Sequence, residues 1–158
     1  MRSFLATPVA VLLLTAPLAA QSAPAAPALK WGPAPAIFPA GAQMAVVSGD
    51  PGKAGMFTIE LSMPAGYKIP PHFHPTAEHV VVLKGTFLVG MGDKLDPAQM
   101  KPMAVGDSGT IPAQAHHYAV AKLATVVEVT AMGPFAMTYV NPKDTPQSSP
   151  PKPAPTGY

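Results

Sequence analysis

The chain has 158 residues, enough for one folded domain, and no cysteine, so disulfides and thiolate zinc sites are excluded and any bound metal must be held by nitrogen and oxygen. Charge is sparse and nearly balanced, with ten lysines and arginines against eight carboxylates, and Arg2 is the only arginine. Without arginine forks or a basic cluster, the composition argues against nucleic-acid binding and phosphate clamping, and the scattered lysines behind a pI near 8.9 imply no partner.

At the N-terminus, a positive Met1-Arg2, an apolar run from Val9 to Leu14 and the small residues Ala16-Pro17-Leu18-Ala19-Ala20 have the layout of a secretory signal peptide. Residues 1–20 are expected to be removed, with cleavage near Ala20 or Ala23. The mature protein is then expected to be periplasmic or secreted, with no membrane span. An uncleaved anchor is the alternative, although the apolar stretch is short for a bilayer. Residues 21–42 form a Pro/Ala-rich arm, and 142–158 a second proline-rich tail. Proline removes backbone donors and favours extended chain, so both read as poorly structured linkers or tails. Trp31 and Phe38 could dock the arm onto the domain or onto a partner subunit.

The body, 43–141, reads as short strands and tight turns. Phe57, Ile59, Leu61 and Met63 alternate with Met56, Thr58, Glu60 and Ser62, which is strand periodicity. Pro64-Ala65-Gly66 ends that run as a turn. Val80 to Leu83 reads as a core strand, Lys84-Gly85 as a hairpin turn, and Thr86 to Met91 as the returning strand. Residues 93–104 read as a loop with one helical turn at Pro97–Met100. Gly106 to Ile111 is a turn and a strand entry, and strands follow at His117–Ala121, Thr125–Ala131 and Phe135–Val140. Many short strands with regular turns predict an all-β sandwich or barrel. The methionines are scattered and read as core filler.

All five histidines lie between positions 72 and 117. His72 and His74 alternate, so on a strand they leave from one face. Glu78 follows four residues later, and His117 comes from a separate segment. Three imidazoles and one carboxylate suit a divalent transition metal: Fe, Mn, Ni, Cu, Co or Zn. His79 and His116 sit next to Glu78 and His117, so strand parity points them away from that set; His116 could instead serve as a donor behind the ligands. Phe73, between the paired histidines, faces a second layer. Tyr67 and Tyr118 could hydrogen-bond a substrate at the barrel mouth, with packing as the default role.

Gly66, five residues, His72-x-His74, three residues, Glu78, six residues and Gly85 together resemble the first sequence motif of the cupin superfamily. About twenty residues later, Gly106, Pro112 and His117 match its second motif. Gln114 replaces that motif's inner glycine and Ala121 its asparagine, which bears on local backbone geometry. The resemblance covers about 43 to 140. It implies a jelly-roll barrel, that is, a double-stranded β-helix, in which His72, His74, Glu78 and His117 bind one metal. It also implies a homodimer, by analogy with small cupins.

Four protein ligands on a six-coordinate ion leave two positions for water, dioxygen or a chelating substrate. Three neutral imidazoles and one carboxylate leave a divalent ion with a net charge of +1, which favours anionic ligands. The first functional reading is a metal-dependent dioxygenase acting on a small molecule, with Glu78 as ligand or catalytic base. A non-redox isomerase, lyase or hydrolase is a variant of it. The second reading is a non-catalytic binder of metal or small ligands.

Overall fold

The computed structural model describes residues 28–146. The expected signal peptide, the start of the arm and the tail beyond 146 lie outside the described residues. Among the described residues eleven strands form two antiparallel sheets. One sheet holds β1 (Gly32–Pro33), β2 (Gln43–Ser48), β3 (Gly55–Met63), β10 (Thr125–Gly133), β5 (Glu78–Lys84) and β8 (Ser108–Ile111), in that order. The other holds β11 (Thr138–Tyr139), β4 (Lys68–Phe73), β9 (His117–Ala121), β6 (Phe87–Met91) and β7 (Lys101–Met103). The expected all-β jelly roll is therefore present.

The core lies between the sheets and follows the period of two. Phe57, Ile59, Leu61 and Met63 of β3 are buried, and β10 runs beside them in continuous register from Thr125↔Met63 to Gly133↔Gly55. Val80 and Val82 of β5, Phe87 of β6 and Val127 and Val129 of β10 complete the interior. Burial of these side chains is the main stabilising term, since no disulfide is available.

Three expectations change. Lys84-Gly85 is not a hairpin turn. Both edges of β5 are taken, by β10 and β8, while β6 pairs with β9 and β7, so the turn hands the chain from one sheet to the other. Gly85 adopts φ +82, and a Cβ there would collide with the Ala124 carbonyl and Thr125. Residues 93–104 are not all loop: a 3-10 turn, Pro97–Gln99, is capped by the Asp96 carboxylate accepting from Ala98 N–H at 2.9 Å, and β7 follows as an edge strand. Its Pro102 sits where a missing donor is tolerated. The final strand shrinks to Thr138–Tyr139.

The arm also departs from a plain linker. From residue 28 on it is built into the fold: β1 pairs with β2, and Phe38 is buried against the core. Trp31 is 40 % exposed, so Phe38 is the docking residue. The methionines divide as well. Met63 and Met137 are core, whereas Met56, Met91 and Met132 are on the surface. A flexible apolar side chain carries no periodicity of its own to reveal which side it takes.

Candidate metal centre

The site spans the gap between the two sheets. His72, His74 and His117 come from one sheet and Glu78 from the other, at the start of β5. β4 contains Pro70-Pro71, and there the pairing with β9 slips by one residue: Ile69 faces Ala119 and His72 faces His117. The extra residue is a β-bulge, which re-aims the strand. Because of it, Ile69 and His72 are both buried although three positions apart. His74 follows directly after the strand and is buried too. His72 and His117, direct cross-strand partners, place their ring centroids 4.1 Å apart. Available nitrogens of the three imidazoles lie within 4.8 Å of one another.

Hydrogen bonds decide what those nitrogens present. Nδ1 of His72 lies 2.7 Å from the Pro70 carbonyl, Nδ1 of His74 lies 2.7 Å from the Ala136 carbonyl, and Nδ1 of His117 lies 3.0 Å from the Ala115 carbonyl. A carbonyl only accepts, so each Nδ1 carries hydrogen and donates it. In a neutral ring the lone pair then sits on Nε2. Burial, with His117 next to it, pushes the His72 ring down to about 3, so it stays neutral at ordinary pH. Glu78 sets its Oε1 3.0 Å from His117 Nε2 and its Oε2 3.6 Å from His74 Nε2. Burial alone would raise its carboxyl; the facing imidazoles of His117, His74 and His72 outweigh that and hold it below the ordinary value. Three nitrogen lone pairs and a carboxylate thus face one another in a buried space where, among the described residues, no other donor side chain is offered. That donor set fits a divalent transition ion, each imidazole being oriented from behind by a backbone carbonyl. The three rings form the compact group, and Glu78 joins it through His74 and His117.

The site forms one end of an internal cavity of about 40 Å³, lined mostly by aliphatic and aromatic side chains, among them Ile59, Leu61, Val127, Phe135 and Met137. One side is closed by the arm. Phe38 stacks on Phe135 at 5.8 Å, and Phe135 lies 5.3 Å from the His74 ring. The Tyr67 hydroxyl donates to the Pro39 carbonyl and the Tyr139 hydroxyl to the Ile37 carbonyl at 2.8 Å, which ties the arm down on both sides of Phe38. Burial raises both phenols, Tyr139 to about 12, so both remain donors.

The remaining sequence candidates lie elsewhere. His79 is exposed and bonds the Thr110 hydroxyl at 3.0 Å on the outer face. His116 Nδ1 pairs with Asp93 at 2.6 Å, and its ring stacks on Phe73 at 5.0 Å. The Tyr118 hydroxyl donates to the Asp96 carbonyl at 3.2 Å, so neither proposed tyrosine turns its hydroxyl to the cavity. The altered second motif keeps its shape: Gln114 adopts φ +61, the left-handed conformation a glycine there would favour, and its N–H donates to the His74 carbonyl at 2.9 Å. Phe135 and Tyr139 could not be found from sequence, because their rings meet those of His74 and His72 from a distant segment and no local pattern marks such a contact.

A comparison with curated proteins finds no match. Solved structures give the fold. A candidate acetylacetone dioxygenase from Methylibium petroleiphilum is 22% identical, with TM-score 0.57, over 76% of this chain and 81% of that one. An RmlC-like cupin from Shewanella frigidimarina is 20% identical, with TM-score 0.50, over 58% and 76%. A cupin superfamily protein from Desulfitobacterium hafniense is 12% identical, with TM-score 0.50, over 58% and 77%. The model of the ChrR cupin-like domain matches residues 25–136, which takes in every strand from β1 to β10 and all four residues of the centre. That match covers most of the chain, and the protein belongs to the ChrR cupin-like domain family.

Proposed function

We propose that this protein is an exported, metal-dependent cupin of dioxygenase type acting on a small organic molecule. One observation carries the reading: three imidazoles, locked by backbone carbonyls into the tautomer that bares Nε2, meet one carboxylate at the end of an apolar cavity. A divalent transition metal held by His72, His74 and His117 with Glu78 beside them would supply a Lewis-acid centre able to polarise a bound oxygen donor and, if redox-active, to engage dioxygen.

The chain's own groups do the rest. The carbonyls of Pro70, Ala136 and Ala115 orient the three rings and prevent their rotation. Glu78, held ionised, has an oxygen free to accept a proton from an acidic C–H or O–H group of a molecule brought against it. The aliphatic walls and the Phe38–Phe135 lid exclude water and strengthen each polar contact inside. Export is supported by the leader-like sequence of residues 1–20, and the homodimer by analogy with small cupins.

The test is metal analysis of protein purified without added metal, followed by oxygen uptake with catechols, flavonols, diketones and thiols. Iron, manganese, nickel or copper with turnover of one class is the expected result. Zinc would favour a Lewis-acid or structural role, and no turnover with any of them would favour the second reading, a binder of metal or a small ligand. That reading has one observation behind it: the cavity beside the histidines, at about 40 Å³, has room for only about three waters.

A further inference from the structure

The arm covers one side of the cavity, and at the other end of the two sheets stand the edge strands β7 and β8. Between the edge strands β7 and β8 runs a groove of about 500 Å³. Val80, Val89 and Ile111 line both this groove and the inner cavity, so the two spaces adjoin. Among the described residues Lys101 is the one charged side chain lining the groove, and Met91, Met103 and Gln99 cover much of the remainder.

Gly109 makes the gap. It pairs with Val80, which is buried, and lies two residues before Ile111, which pairs with Glu78. By strand alternation it therefore shares the face of the cavity-lining side chains. A Cβ built on Gly109 would meet only the Met103 Cε, at 3.9 Å, and its backbone carries no positive φ. Neither a turn nor a tight packing contact requires a glycine here. Its effect is to leave space at the edge of the barrel.

We propose that the β7–β8 groove is the ligand passage and tail subsite of the candidate metal centre, and that Gly109 sets its width. The inner cavity admits only a chelating head of a few atoms, so the body of any larger ligand must lie in the groove. A divalent ion held by three neutral imidazoles and one carboxylate would carry net charge +1, and with the Lys101 ammonium at the groove this favours a negative head. The ligand class is a small organic monoanion with oxygen donors at one end and an apolar chain at the other, its chain resting on Met91 and Met103. The proposal rests on the metal reading and deepens it.

The experiment uses the cobalt(II)-loaded protein, whose visible absorption reports ligands entering the metal's surroundings, titrated with acetate, butyrate and hexanoate. Burial of the chain in the groove predicts tighter binding along the series, by about tenfold or more from acetate to hexanoate. Gly109→Phe fills the groove and should erase that gain while leaving acetate affinity and cobalt content unchanged; Gly109→Leu should erase part of it. Should the phenylalanine variant not fold, Met103→Ala removes the facing wall and should weaken hexanoate about threefold with acetate unaffected. Failure of the parent protein to take up cobalt would overturn the metal reading and this proposal with it. A cobalt-loaded protein with no chain-length gain, or with a gain that these substitutions leave intact, overturns the passage alone.

Discussion

His116 and His117 are neighbours with the same side chain and opposite roles. His117 is buried, donates backward to the Ala115 carbonyl and meets Glu78. His116 is partly exposed, pairs with Asp93 and stacks on Phe73. Glu78 and His79 divide in the same way across the other sheet. Neighbouring positions at the starts of β9 and β5 thus put ionisable side chains in two electrostatic settings. Inside, a backbone carbonyl selects the tautomer and water is excluded; outside, a solvated partner takes the ring. Which of the two a histidine meets follows from strand parity, and parity is worth more here than residue identity.

The comparison breaks most visibly if the two faces respond alike. His117→Ala is expected to weaken metal binding by more than the about 10–100-fold that loss of a ligand's hydrogen-bond partner costs, whereas His116→Ala should leave metal content unchanged. Metal titration checks both. In the His117 variant, added metal should no longer raise the melting temperature, since that rise depends on binding to the folded state. Equal losses in both variants would show that parity does not define the site.

The same contrast separates the two aromatic residues of the arm. Phe38→Ala should cost about 3 kcal/mol or more, because it opens space beside Phe135. Trp31→Ala, at an exposed position, should cost well below that, and thermal or urea unfolding measures the difference. A similar cost for both would mean that the arm does not seal the cavity.

Proton linkage sharpens the comparison further. His72 has its folded-state value pushed down to about 3 from 6.5. Between those values the unfolded chain binds a proton that the folded chain refuses, so stability is full above about 6.5 and falls as pH drops toward 3. Its slope in that window is about 1.4 kcal/mol per pH unit for this one group. The lowered Glu78 carboxyl acts with the same sign, its contribution being lost as pH falls below the ordinary carboxylate range. Denaturant titrations of metal-free protein at several pH values check this, and His72→Phe should flatten the slope. The smallest effect belongs to the turn before the histidine pair: Gln114→Gly should relieve the left-handed backbone and stabilise the fold by about 1 kcal/mol, with metal binding retained.

Much of this was legible in the sequence, for reasons that differ by residue. β3 followed from alternation and β5 from its β-branched run, and both ends of β9 fall where the sequence places them. His72, His74, Glu78 and His117 stood out because spacing and chemical type coincided. Pro70-Pro71 was visible, but not as a bulge, since a bulge exists only against the partner strand β9. The Lys84-Gly85 turn was visible, but not its destination, because a turn does not name the strand the next segment will join.

The sequence by itself determined the alternation of buried and exposed side chains, the identity of the metal-competent donors and the turn positions. These are local properties, carried by backbone sterics and by side-chain chemistry within a few residues. Only the tertiary structure decided that β5 and β6 part into different sheets, that Phe38 and Phe135 close one side of the cavity, and that Gly109 leaves space between the edge strands β7 and β8. Each of these depends on contacts between segments far apart in the chain, and such contacts form only when the two sheets close over a common core.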